Sequence, residues 1–346
     1  MMNSKKKIHL EIIRVIALMC IMFNHTGDRG NSVYLYTNGT FTFTVSLMGD
    51  ILCKIGVPLF LMVSGALLLQ KEENLQQIYR KRVPRIIKAI VLFTTIRYFY
   101  ECYGVKQRTF SVFELIEAIF TGNLFTPYWF LYAYLSILLT LPFIKKMIKA
   151  LDEKEMKLLI LLIFAFNAIL PAISAVFDTW FEISFMFGSS YSYFVLGYYL
   201  EHLVAANKFT KRNTVIAILL LLSYAVFTYW MIIRDRTTLG ILRYEHTSVL
   251  AIVIANCVFF AVKAVWGEGG KEDSFWSRCI MTIGSCSFGI YLIEDYLRNS
   301  LGFVCDKLAP YISVLPACMV WLAVVMAVGV IIVLFLKKLP VLKEIL

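Results

Sequence analysis

Apolar residues fill this chain in long blocks, set apart by short charged stretches, and neither strand-like alternation nor a single helical stripe dominates. Blocks of about 20 residues match the length a helix needs to cross the roughly 30 Å hydrocarbon layer of a bilayer. Read this way, the chain predicts about ten spans. They are Ile8–Thr26, Gly49–Leu69, Ile86–Tyr103, Tyr128–Ile144, Lys157–Phe177, Ser190–Leu203, Thr214–Ile233, Ser248–Trp266, Ile280–Leu297 and Ile312–Leu336. Pro171 interrupts the fifth, and the sixth and ninth are polar for spans. The amphipathic stretch Phe110–Phe120 is predicted to lie along the interface. The expected fold class is therefore all-α, a polytopic membrane protein. Residues 1–346 are read as a single membrane domain, with no internal repeat.

Composition agrees. Of the 346 residues, 60% are hydrophobic and only 16% charged, against about 25% charged in soluble domains. A net charge of +11 would point to nucleic acid in a soluble protein. Here positive cytoplasmic loops explain it better, and no nucleic-acid partner is expected. The cations do concentrate in alternate loops: Lys5 to Lys7, then Arg80 to Lys88, Lys145 to Lys157, Lys208 to Arg212, and Lys337 to Lys343. That alternation predicts cytoplasmic N and C termini. The first apolar run is long enough to span and lacks a small-residue cleavage site, so it reads as a retained helix. None of the eight cysteines forms a CxxC pair, so they read as small buried hydrophobes, and no metal is expected.

Polar residues inside apolar spans are costly and mark function. In the first span, Arg14 and His25 are eleven residues apart, almost three helical turns and roughly 16 Å, which puts both on one face. An imidazole is the usual base for deprotonating a hydroxyl. A guanidinium can clamp a phosphate or carboxylate. The plainer alternatives are a helix-end hydrogen bond for His25 and a local pair with Glu11 for Arg14. Arg82 and Arg85, spaced RxxR, suit a ligand with several phosphates, although positive loops look like this anyway. Gly56–Leu69, GVPLFLMVSGALLL, gathers small residues and a proline, as close packing or a cavity-lining break requires. Trp129 to Tyr132, WFLY, is either an aromatic belt or a platform for a sugar ring. Asp50 with Lys54, and Arg97 with Glu101, can pair at i,i+4. Glu294 and Asp295 lie well inside the ninth span and need partners; Arg97, Arg14 and His25 are all candidates.

In this order, the stretches resemble membrane acyltransferase family 3, the bacterial O-acetyltransferases of surface glycans. The resemblance runs through Arg14 and His25, Gly56–Leu69, Arg82 and Arg85, Trp129–Tyr132, and Ser287–Glu294. Ala66 replaces a Phe, and Glu294 stands where many relatives have His. The resemblance implies a bacterial inner-membrane enzyme that transfers an acyl group, acetyl being commonest, from cytoplasmic acyl-CoA to a hydroxyl. The acceptor is a glycan or its lipid-linked precursor. Arg14 and His25 are then the functional pair, with His25 as general base. Arg82, Arg85 and Arg14 bind the donor, acetyl-CoA. Trp129, Tyr132 and Glu294 are the candidate substrate residues. The bilayer is a partner, and a homo-oligomer is compatible with all of this. The competing classes are a secondary transporter or flippase, and a sensor without chemistry. Transporters often carry inverted repeats and paired broken helices, and neither is read here.

Overall fold

The computed structural model describes residues 7–37, 39–105, 109–177, 189–240, 250–267 and 274–346. Among these the chain is helix and connecting turn, with no strand. The first helices are α1 (Ile8–Asn24), α2 (Phe41–Cys53), α3 (Gly56–Leu68), α4 (Val83–Tyr100) and α5 (Val112–Thr121). There follow α6 (Trp129–Ala150), α7 (Glu153–Phe164), α8 (Leu170–Phe177), α9 (Ser189–Tyr198) and α10 (Lys211–Leu239). The last five are α11 (Ala251–Trp266), α12 (Phe275–Ser300), α13 (Gly302–Ile312), α14 (Val314–Leu336) and α15 (Pro340–Ile345). Among the described residues, five segments are long and apolar enough to cross a membrane: Phe41–Leu68, Thr126–Ala150, Glu153–Phe177, Lys211–Leu239 and Val314–Leu336. Ala251–Trp266 is a shorter apolar helix; residues 248 and 249 of that expected span lie outside the described residues.

The chemistry of the boundaries is local. Thr40, Ser111, Thr210 and Ser274 precede α2, α5, α10 and α12, and each accepts the N–H three residues on. Hydroxyl caps of this kind satisfy donors that a helix start leaves open. Gly122 and Gly240 stop α5 and α10 with φ of 69° and 67°.

The second expected span has other bounds. The run predicted to begin at Gly49 starts eight residues earlier, at Phe41 after the Thr40 cap, and breaks after Cys53. Pro58 explains the break: it has no N–H, and its ring clashes with the carbonyl four residues back, that of Lys54. The helix restarts with Leu59 N–H on the Ile55 carbonyl at 2.9 Å.

The chain forms two compact units. The first comprises Met1–Gln70 and Lys154–Phe335. Within it α1 packs on α3, α11 and α12. Its core gathers Leu18 and Met22 of α1, Cys286 and Ile290 of α12, and Cys318 and Trp321 of α14, all buried. The α3–α9 crossing depends on two glycines. A Cβ on Gly65 would lie 1.7 Å from the Phe194 carbonyl oxygen, and one on Gly197 would lie 1.9 Å from that of Met62. Backbone therefore touches backbone, as small residues allow between membrane helices.

The second unit comprises Lys71–Glu153 and Leu336–Leu346. Tyr98 donates to the Ser111 carbonyl and to Glu114, each at 3.1 Å, which ties α4 to α5. Helix α5 exposes Phe113 and Phe120 and buries only Ala118, the amphipathic pattern expected of it. All eight cysteines are free thiols, and five are buried.

Candidate active site

Helix α1 ends at Asn24. His25 leaves the helix with φ −96° and ψ 4°, while its N–H still reaches the Ile21 and Met22 carbonyls at 3.2 Å. The following turn is fixed by side chains. Asn31 N–H donates to Thr26 Oγ1 at 2.8 Å, and Ser46 Oγ donates to the Gly30 carbonyl at 2.9 Å. Arg29 holds Asp306 of α13 through two bonds of 2.7 and 2.8 Å. That bidentate cation lowers the Asp306 carboxyl below its ordinary range.

The imidazole of His25 meets Glu294 of α12, with Nδ1 2.5 Å from Oε1. The sequence left three partners open for Glu294, and the fold selects this one. The carboxylate is 2% exposed and the imidazole side chain 22%. The Nδ1 side of the ring is therefore buried against an acceptor, while the residue keeps an open face. A carboxylate on Nδ1 stabilises the tautomer whose Nε2 is bare, and orients the ring. The other carboxylate oxygen, Oε2, has no hydrogen bond, but Arg298 Nε lies 3.4 Å away. Arg298 Nη2 in turn donates to Asp295 Oδ1 at 2.5 Å, and Asn299 Nδ2 to Asp295 Oδ2 at 3.3 Å.

Arg14 is paired with Glu11 at 2.7 Å, the local contact allowed by i,i+3 spacing. Its side chain keeps 27% exposure, while Glu11 is buried. The carboxylate fits because α12 has no side chain opposite: a Cβ on Gly284 would lie 2.2 Å from Glu11 Oε2.

At the N-terminal end of α1 a second cluster forms. Glu201 receives Lys7 at 2.6 Å and His9 Nε2 at 3.0 Å, and Lys263 lies 3.5 Å from it. Lys263 also donates to the carbonyls of Leu200 and Glu201 at 2.8 and 2.6 Å. His202 Nε2 donates to the Ala66 carbonyl at 2.7 Å.

The remaining candidates belong to the second unit. Arg82 grips Glu73 through bonds of 2.7 and 2.8 Å, and Lys71 lies 3.1 Å from the same carboxylate. Burial works to raise the Glu73 carboxyl, but the Arg82 and Lys71 cations outweigh it and bring it from an ordinary 4.5 to about 2. Arg85 donates to the carbonyls of Ile345 and Leu346 at 2.8 and 3.1 Å. Tyr132 donates to the Ile119 carbonyl at 2.7 Å, and Trp129 is half exposed at the start of α6. Arg97 pairs with Glu101 at 3.1 Å, as their spacing predicts, and in the first unit Asp50 pairs with Lys54 at 2.8 Å.

Sequence reasoning did not single out Arg298, Glu201, His9 or Glu73. Arg298 carried a signal, the i,i+4 spacing from Glu294. Glu201 sat in a span already noticed as polar. Nothing local pointed to Glu73.

Helices long and apolar enough to cross a membrane, in a chain that pairs a partly exposed histidine with a buried carboxylate, are those of an integral membrane protein. A family model described as an acyltransferase domain matches residues 8–336. The chain belongs to that family, the membrane acyltransferase family 3, and an acyltransferase role in general follows. Among curated proteins and among solved structures, nothing matches the chain.

Proposed function

We propose that this protein transfers an acyl group, acetyl in the first instance, from acetyl-CoA to a hydroxyl of a cell-surface glycan or its lipid-linked precursor. The observation that carries the reading is the His25–Glu294 pair, an open imidazole held from behind by a buried carboxylate. In the reaction His25 Nε2 takes the acceptor hydroxyl proton as that oxygen attacks the thioester carbonyl. The C–S bond then breaks, and the departing thiolate of CoA recovers the proton from the imidazolium. The products are the ester and free CoA. Base catalysis of this kind contributes about 10²–10⁴-fold.

Arg14 guides the donor, its guanidinium partly open beside Glu11. Arg82 and Arg85 receive the nucleotide phosphates; to do so each exchanges a protein oxygen for a phosphate oxygen. Trp129 offers a ring face to a sugar, and Tyr132 a hydroxyl already engaged with Ile119. In this reading the chain crosses a bacterial inner membrane about ten times with both termini in the cytoplasm, as the alternating loop charge supports.

The test uses radiolabelled acetyl-CoA and membranes that carry the protein. Label on glycan from wild type, and none from His25→Ala folded at equal abundance, is the expected result. Mass spectrometry of surface glycans, with and without the gene, reads the added acyl mass. Uptake of label without transfer, or normal transfer by His25→Ala, overturns the reading.

A further inference from the structure

Around the proposed base, one guanidinium faces two carboxylates on adjacent positions of α12. Arg298 Nε approaches Glu294 Oε2 at 3.4 Å, and Nη2 is anchored on Asp295 Oδ1 at 2.5 Å. Glu294 and Asp295 are both buried, and Arg298 is 14% exposed. Just past the end of α1, His25 is bonded to Glu294. A buried carboxylate without a compensating cation is expensive, and the usual relief is uptake of a proton.

Where that proton would go decides the chemistry. If it settles on Glu294, the carboxyl donates to Nδ1 and the ring hydrogen moves to Nε2. If it settles on the ring, the imidazolium carries hydrogen on both nitrogens. In either case Nε2 holds a hydrogen and cannot accept one from a hydroxyl. Only the ionised Glu294, accepting from Nδ1–H, leaves Nε2 bare.

We infer that Arg298, tethered by Asp295, is a positioning residue that keeps Glu294 ionised and thereby fixes His25 in the tautomer with a free Nε2. This rests on the reading of His25 as base, but the tautomer it assigns exists whether or not an acyl group is transferred. Arg298 acts through Glu294. Asp295 sets where the guanidinium sits, and Asn299, 3.3 Å from Asp295 Oδ2, steadies Asp295.

The experiment is ¹⁵N NMR of the full-length protein, labelled on histidine, in bilayers of phosphatidylethanolamine and phosphatidylglycerol at neutral pH. The chain has four histidines, so the His25 signals are assigned by their loss in His25→Gln. Wild type and Arg298→Lys are expected to show Nδ1 protonated and Nε2 bare. Arg298→Gln is expected to show Nε2 protonated. In parallel, transfer from radiolabelled acetyl-CoA is expected to fall about 10²-fold in kcat for Arg298→Gln, with KM held within about threefold and most of the rate restored in Arg298→Lys. Should Arg298→Gln not fold, Asp295→Asn keeps the guanidinium but frees it, and a partial shift of His25 toward protonated Nε2 is expected. A bare Nε2 retained in the folded variant, Arg298→Gln or Asp295→Asn, overturns the inference even if the rate falls. If wild type transfers no label, the proposed reaction fails, and the nitrogen spectra still decide the role of Arg298.

Discussion

Two histidines bracket helix α1, His9 in its first turn and His25 just past its last residue, and each meets a glutamate from another helix. The pairs look alike on paper and differ in surroundings. His9 is almost wholly buried and reaches Glu201 through Nε2, while Lys7 and Lys263 crowd the same carboxylate. Three cationic or polar donors converge there, and none is left over. His25 reaches Glu294 through Nδ1, keeps an exposed face, and shares its carboxylate with a single, more distant arginine. The first pair is closed and holds α1 to α11 and the turn after α9. The second leaves the imidazole partly open. The two contacts use the same residue types and differ in exposure, 22% for the His25 side chain against 4% for that of His9.

That contrast can be broken most directly at the histidines. His25→Ala is expected to lower acyl transfer by at least about 10²-fold with the folded protein at normal abundance in the membrane. His9→Ala is expected to leave the rate per folded molecule near wild type; equal losses in the two variants would erase the distinction. Next is the closed cluster. Glu201→Ala leaves Lys7, His9 and Lys263 without their shared carboxylate, and removing one partner of a buried ion pair costs about 3–5 kcal/mol. The Tm of the detergent-purified protein should drop clearly, while surviving molecules keep their activity.

A smaller effect is expected at Gly284→Ala. The added methyl runs into Glu11 Oε2, and such overpacking costs about 1–3 kcal/mol. Glu11 must move and Arg14 with it, so KM for acetyl-CoA should rise more than kcat falls. A variant with unchanged KM would remove Arg14 from donor binding.

The mildest expectation concerns Glu73, another carboxylate saturated by cations. Its carboxyl is lowered from 4.5 to about 2, so its contribution to stability is fully present above about pH 4.5 and is lost as the pH falls toward 2. Thermal melts of wild type against Glu73→Gln should converge across that window. A difference between them that stays constant down to pH 2 would show that the charge of Glu73 contributes nothing.

Much of this was legible in the chain. Apolar block length gave the helical membrane class, and the hydroxyl caps and glycine stops sit where their residue types predict. Arg14 and His25 stood out because an ion in a long apolar run has few reasons to be there. Glu294 stood out for the same reason, but its partner did not, since which helix lies beside α12 is decided by packing far apart in sequence. Arg298 was hidden by its position, four residues beyond the carboxylate, where it reads as an ordinary loop cation. The early start at Phe41 and the break at Pro58 were missed because continuous apolarity across Gly49–Leu69 masks a backbone interruption. The occupied state of Arg82 and Arg85 was invisible too, because Glu73 and the Ile345 and Leu346 carbonyls are brought to them only by folding.

The interruption after Cys53 has one more consequence. Asn24 Nδ2 donates to the Cys53 carbonyl at 2.8 Å, so the residue immediately before His25 is moored to the joint of a jointed rod. Any straightening of that rod, for example by replacing Pro58 with alanine, would withdraw the mooring and let the imidazole swing. A proline in the first turn of α3 would then govern the aim of the ring.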